Sequence, residues 1–327
     1  MRDEARRIMA DLTRGRPAAE VYAEDAVWEG SHPFGRREGG EAISAVWDEL
    51  RAAMPDVERR DLIVAAGANR DDPRLPGRRA PHLVAMLGHL CGTFRAPLRG
   101  IPPTHGAVFL RYGEAHWIEG GRVRRSWVIL DLVDLMEQAG CSPLPRPFGA
   151  VGQWPGPATQ DGLSHADWKG PDALTTVFGM HDALLSFDGS SLGSMDHARF
   201  WTPDFMYYAG GGIGTTRGLS GFRAHHQIPF LRAFPDRNSE GHWIRISDGP
   251  YAVTGGTIWG THSAAWLGMT ATGRRASMPV MDFYRIEPDG RIAENWLPID
   301  VLGAAHGLGH DLLEGVAHRA GAPRMEL

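Results

Sequence analysis

The sequence predicts an α+β protein made of two tandem domains built on one plan. Three observations carry this expectation. The 327 residues exceed what one hydrophobic core usually serves. The two halves can be laid over each other in sequence for a long stretch without a gap. Within each half a helical segment precedes a run of long alternating strands, which is an α+β order and not a series of βαβ units.

The repeat is anchored by residues 88–94 (GHLCGTF) on 256–262 (GTIWGTH), Gly100 on Gly268 and Thr104 on Thr272. The same register sets Glu114 on Asp282 and His116 on Tyr284. One extra residue in the turn at 287–290 then brings 127–131 (WVILD) onto 296–300 (WLPID), and upstream Arg37, Ala53 and Met54-Pro55-Asp56 align with Arg217, Ala233 and Phe234-Pro235-Asp236. The Pro-, Gly- and Trp-rich stretch 142–171 between the copies suits an irregular linker that packs along the surface. The expected domains are therefore residues 1–150, and residues 151–327 including most of the linker. Residues 69–81 have no counterpart in the second half and read as a loop insertion in copy one.

Helices are expected over 40–53, where Ile43, Val46, Trp47 and Leu50 recur at helical spacing, and over 219–233. Alternation in the strand 108–118 puts Tyr112, Glu114 and His116 on one face, matched by Val280, Asp282 and Tyr284 in copy two. Continued into the next strand, it puts Val123, Arg125, Trp127, Ile129 and Asp131 on one face, and Ile292, Glu294, Trp296, Pro298 and Asp300 on its equivalent. Short helices are expected at 132–139 and 301–309.

Composition narrows the function class. A net charge of -5 without a long basic run argues against nucleic acid or an anionic membrane as partner. No stretch approaches the roughly 20 apolar residues of a membrane span, and the charged start MRDEARR lacks the apolar segment of a secretory signal, so a cytoplasmic location is expected. Cys91 and Cys141 are too few for a disulfide framework. The pair His306 and His310 has helical spacing but no Glu where a zinc protease needs its base, and residues 210–214 (GGGIG) lack both the third Gly of a dinucleotide fingerprint and a βαβ setting. Neither metal nor cofactor is expected, and small molecules remain as partners.

Residues 28–33 (WEGSHP), Trp47, 54–56 (MPD), 92–94 (GTF), 100–103 (GIPP) and 127–131, with their copy-two equivalents, resemble the SnoaL-like polyketide cyclase branch of the nuclear transport factor 2-like superfamily. The resemblance covers almost the whole chain as two copies. It implies cone-shaped (cystatin-like, NTF2-like) α+β barrel domains with curved antiparallel sheets, joined as an intramolecular pseudo-dimer that could pair again as a homodimer. It also implies that Asp131 and Asp300, at the end of the last strand, act as acid/base in an aldol-type closure without cofactor. Each of them also reads as the N-cap of the following helix.

Other candidates come from position. Glu114 with His116, and Asp282 with Tyr284, form acid/base clusters or else buried polar networks that fix strand register. Trp28, His32, Trp47, Tyr208, His226 and Trp259 could wall a pocket or simply fill the core, and Trp127 and Trp296 could contact substrate from the face shared with the terminal Asp. His89 and His262 lie on the strand preceding the one that carries Glu114 or Asp282, and His262 is the stronger site candidate of the two. The expected activity is cofactor-independent proton abstraction from a carbonyl-containing small molecule. The alternatives are noncatalytic binding of a small molecule, or hydrolysis or hydration by an activated water.

Overall fold

The computed structural model describes residues 1–319 other than Pro76, Arg78, Arg79, Phe148, Val151 and Ala166. Copy one runs α1 (Arg2–Thr13), α2 (Ala18–Val21), β1 (Tyr22–Gly30), β2 (Arg36–Glu38), α3 (Gly39–Ala53), β3 (Glu58–Ala68), β4 (His82–Thr93), β5 (Ala107–Glu119), β6 (Arg122–Leu130) and α4 (Leu132–Gln138). Copy two runs α5 (Ala173–Leu185), β7 (Trp201–Ala209), β8 (Thr215–Arg217), α6 (Gly218–Phe222), α7 (Ile228–Ala233), β9 (Asn238–Asp248), β10 (Tyr251–Thr261), β11 (Arg275–Ile286), β12 (Ile292–Leu297) and α8 (Val301–Leu308), followed by the short α9 (Val316–Arg319). The α+β expectation and the tandem plan both hold.

The sheets have the orders β2-β1-β6-β5-β4-β3 and β8-β7-β12-β11-β10-β9. They are mixed and not purely antiparallel as expected, because β1 joins β6, and β7 joins β12, in parallel. Helices cover one face of each sheet: Ile43, Val46, Trp47 and Leu50 of α3 lie in the same buried cluster as Val84, Leu110 and Val128.

The opposite faces of the two sheets pack against each other. Ile63, Ala65, Leu87, Ala115, Trp127 and Ile129 share one buried cluster with Ile244, Ile246, Val253, Met281, Phe283 and Trp296. Apolar residues on both faces of a strand mean that neither face is left to water, so the pair forms one sheet-on-sheet body. The linker enters this layer instead of lying outside it. Trp154 is buried there, its amide donating to His89 Nε2 (3.1 Å) and its indole N–H to the Ala209 carbonyl (3.3 Å). Two backbone ties cross the interface reciprocally: Gly211 N–H donates to Asp131 Oδ2 (2.8 Å) and His32 N–H to Asp300 Oδ2 (2.8 Å).

The last strand of each sheet departs from simple alternation. Trp117 pairs with Arg125 and Ile118 with Val123, leaving Arg124 as an extra residue; Arg285 pairs with Glu294 and Ile286 with Ile292, leaving Ala293 extra. Such a bulge reverses side-chain parity beyond it. Ser126, Val128 and Leu130, and Asn295 and Leu297, therefore face inward, while Trp127, Ile129 and Trp296 go to the inter-sheet layer. A second one-residue difference corrects the sequence alignment. Arg37 pairs with Trp28 while Tyr207 pairs with Thr216, so Arg37 matches Thr216 and not Arg217. The extra residue in copy two is absorbed by a π turn at Arg223–Gln227, between α6 and α7.

Asp131→Ala removes the acceptor for two buried backbone amides, Asp134 N–H (3.0 Å) and Gly211 N–H (2.8 Å). It is expected to lower unfolding free energy by about 1–3 kcal/mol in a urea titration.

Candidate active site

The same strand positions point into both concave interiors, but with different side chains. By strand register, Tyr22, Trp28, Arg59, Tyr112 and Ser126 in copy one correspond to Trp201, Tyr207, Ser239, Val280 and Asn295 in copy two. Trp47 of α3 corresponds to the π turn that carries His226 and Gln227. Replacing two Trp, an Arg and a Tyr by smaller groups outweighs the gains at Trp201 and Asn295. A cavity of about 870 Å³ opens in copy two, within the usual range for small-molecule sites.

Copy one is closed by a charged network. The Arg59 guanidinium hydrogen-bonds the Glu114 carboxylate and lies 3.2 Å from Asp61, with its Cζ 4.4 Å from the centre of the Tyr112 ring. His116 Nε2 is 3.3 Å from Glu114, and its Nδ1 is 2.8 Å from Ser126 Oγ, which also meets the Tyr22 hydroxyl at 3.1 Å. Burial alone would raise the Glu114 carboxyl, but Arg59 and His116 outweigh it and hold it down to about 2. A carboxylate so well neutralised is a weak base.

Asp282 sits at the matching position without the cation, because Ser239 stands where Arg59 does. Among the described residues no Lys or Arg forms an ion pair with it. Asn295 Nδ2 donates to its Oδ1 (3.1 Å). Asp282 is half-buried, its exposure being to the cavity it lines. Burial pushes its carboxyl up to about 7, against the hydrogen bonds of Asn295 and Tyr284. Around it stand neutral groups. Burial raises the Tyr284 and Tyr207 phenols far above the ordinary value, with the nearby Asp282 adding to it, so both keep their protons. Burial lowers His226 to about 4 and His181 well below its ordinary value, so both rings are uncharged at neutral pH. Among the described residues the buried Tyr207 hydroxyl has no hydrogen-bond partner, and His181 Nε2 is 3.3 Å from the Tyr284 hydroxyl. Val280, Leu297, Ile299, Phe222 and Phe230 supply apolar wall.

One wall comes from the other domain. Asp72, Pro73 and Arg74, in the copy-one insertion, line the cavity of copy two. Asn69 pins the insertion to β9, its amide donating to the Trp243 carbonyl (2.9 Å) and its Oδ1 accepting from Arg245 N–H (2.8 Å). Asp72 accepts from His242 N–H (2.9 Å) and from Arg74 (2.7 Å), and the His242 ring stacks on His181 at 5.1 Å.

Of the residues singled out in the sequence, the cavity thus gathers Asp282, Tyr284 and His226. Glu114, His116, Trp28 and Trp47 lie in the filled interior of copy one. Asp131 and Asp300 do not converge with them, since the bulge turns that end of the strand toward the partner domain. Asp131 caps α4 beside Arg111 (3.6 Å), and Asp300 caps α8 through Gly303 N–H (2.7 Å). For the same reason Trp127 and Trp296, with Tyr208 stacked on Trp296 at 5.3 Å, belong to the inter-sheet layer, as does His89. His32 stacks on His306 (4.5 Å), His262 is buried against Phe234 (5.5 Å), and Trp259 lies under Arg275, whose Cζ is 3.4 Å from the ring centre; none of the three lines the cavity. Asn295, Tyr207, His181 and the insertion were missed. The signal for Asn295 was its alignment with Ser126, hidden by the parity error. Among the described residues no group of three or more His, Cys, Asp and Glu side chains is arranged to hold a metal ion.

A SnoaL-like domain model matches residues 5–126, and a SnoaL-like polyketide cyclase model matches residues 188–308. Similar solved structures, each matched over about one domain, include IdmH from Streptomyces antibioticus (26% identity, 42% of this chain and 98% of that one, TM-score 0.35). TsrD from Streptomyces laurentii is similar at 25% identity (41% and 96% covered, TM-score 0.33), and an NTF2-like protein from Burkholderia thailandensis E264 at 16% (42% and 97%, TM-score 0.35). No curated protein matches the chain.

A buried acid whose pKa is raised on folding favours the native state most at low pH. That contribution is complete below the unfolded value near 4, declines as pH rises toward about 7 and stays lost above it. Asp282→Asn is therefore expected to be more stable than the parent by about 2–4 kcal/mol at pH 8, with the gap closing toward pH 4, in denaturant titrations at several pH values.

Proposed function

For a chain that belongs to the SnoaL-like family as a tandem pair, we propose that the second domain is a cofactor-independent lyase or isomerase in which Asp282 removes a proton α to a carbonyl of a polyketide-like small molecule. The observation that carries this reading is a carboxylate in a ligand-sized cavity, unpaired with any cation among the described residues, whose pKa burial pushes up to about 7. Proton abstraction from carbon needs a base whose pKa lies near the working pH, and burial without a countercharge supplies it.

The residues assign themselves roles on this reading. Asn295 and Tyr284 hold the Asp282 carboxylate at the cavity wall. The Tyr207 hydroxyl, without a partner among the described residues, donates to the oxygen on which enolate charge develops. The enolate then attacks a second carbonyl of the same molecule, and the proton held by Asp282 passes to the new alkoxide, so the ring closes without net gain or loss of protons. Apolar walls keep water from intercepting the intermediate. Domain one, whose equivalent carboxylate is locked to Arg59, serves as scaffold.

The test is solvent deuterium exchange at the α-carbon of an aromatic β-diketone in the presence of the protein. The parent is expected to accelerate exchange with a rate that rises with pH through about 7 and then levels, Asp282→Asn to lose about 10²–10⁴-fold, and Glu114→Gln to retain the rate. An Asp282→Asn protein that exchanges as fast as the parent overturns the assignment. A diketone that binds without exchanging supports the noncatalytic alternative.

A further inference from the structure

We propose that the cavity of domain two takes a ligand bearing a carboxylate, and that Arg237 is the residue that binds it. The inference deepens the proposed function by naming a feature of the substrate, and it rests on that reading only for the word substrate.

The charged side chains lining the cavity differ in how far the protein satisfies them. Arg74 is bound to Asp72 through two hydrogen bonds (3.0 and 2.7 Å). Arg245 donates to the Asp71 carbonyl, lies 4.0 Å from Asp72 and packs over the Phe178 ring at 4.1 Å. Asp182 is exposed to solvent. Arg237 lines the same cavity, half-buried, and among the described residues its guanidinium has no hydrogen bond or ion pair; its Cζ lies 5.8 Å from the centre of the Phe187 ring. A guanidinium carries five donors in a planar fork that matches a carboxylate, and those of Arg237 stand at the cavity wall free to take one.

The two copies supply an internal control. The turn at the start of β3 and β9 is the same in both. Asp56 and Asp236 each accept from a threonine amide (Thr93 and Thr261, both 2.7 Å) and from its hydroxyl (2.7 and 2.6 Å). Val57 and Arg237 follow at the same place, with matching backbone bonds to Met54 O (3.1 Å) and Phe234 O (3.2 Å). The turn therefore has no need of an arginine. Copy one, whose interior is filled, has a valine there, and the arginine occurs in the copy that holds the cavity.

Arg237 precedes the edge strand β9, two strands over from Asp282 on β11 and about seven residues along. On a flat sheet that is roughly 10 Å across and ~20 Å along, and less on a curved one. A molecule reaching both groups is elongated, with its carboxylate at one end and its acidic carbon at the other.

The probes are 2-naphthoate and its uncharged methyl ester, with binding to the intact protein followed by calorimetry and by quenching of tryptophan emission, to which the cavity-lining Trp201 contributes. At pH 6 the parent is expected to bind the acid at least tenfold tighter than the ester. Arg237→Gln should bind both equally, with the ester affinity unchanged, and Asp282→Asn should keep the preference for the acid. Equal affinities in the parent, an undiminished preference in Arg237→Gln, or no binding of either probe up to millimolar concentration would each overturn the inference. Asp282→Asn separates the two ideas: loss of deuterium exchange with the acid preference retained supports both, whereas retained exchange with retained preference removes the proposed base and leaves the carboxylate site standing.

Discussion

One extra residue on the last strand of each sheet governs what the interiors contain. Because strand side chains alternate with a period of two, the bulges at Arg124 and Ala293 exchange the two faces of everything that follows. Ser126 and Asn295 turn inward to meet His116 and Asp282, and Trp127 and Trp296 turn outward into the layer between the sheets. The same exchange carries Asp131 and Asp300 to the domain boundary, where each caps its own helix and accepts a backbone amide from the other copy. The acidic groups at the strand ends thus join the domains, and the acidic groups in the middle of β5 and β11 face the interiors.

The two interiors show how neighbours set the protonation of a carboxyl at the same backbone position. Glu114 and Asp282 are equivalent carboxylates removed from bulk water, and burial raises the pKa of both. In copy one Arg59 reverses that shift. In copy two the serine at the equivalent position has no charge to offer, and the shift remains. The substitutions that remove the cation also remove volume, so loss of the countercharge and opening of the cavity occur together. Domain one is more than a passive copy, however, since its insertion closes one side of the cavity through Asp72 and Arg74. The cavity belongs to the tandem pair, although Asp282 lies in one domain.

Much of the fold was legible because duplication doubles every signal. The glycine and threonine anchors, the matched Pro-Asp turns and the shared alternation in β5 and β11 identified two α+β domains and the inward position of Glu114 and Asp282. Legibility ended where a single residue changes register. Neither bulge has a compositional mark, and with two Trp and two Asp on the apparent inner face the unbroken alternation looked self-consistent. The π turn hid in the same way, displacing the Arg37 match by one position.

By itself the sequence determined the duplication, the element order and the chemical types at each strand position, because these follow from local periodicity and from comparison of one half with the other. Which copy holds a cavity, which carboxylate is left without a cation, and that a loop of the first domain walls the second were decided only by the tertiary structure. Those properties depend on side-chain volume summed across several strands and on charges brought together from positions far apart in the chain. No pattern within a single segment carries that information.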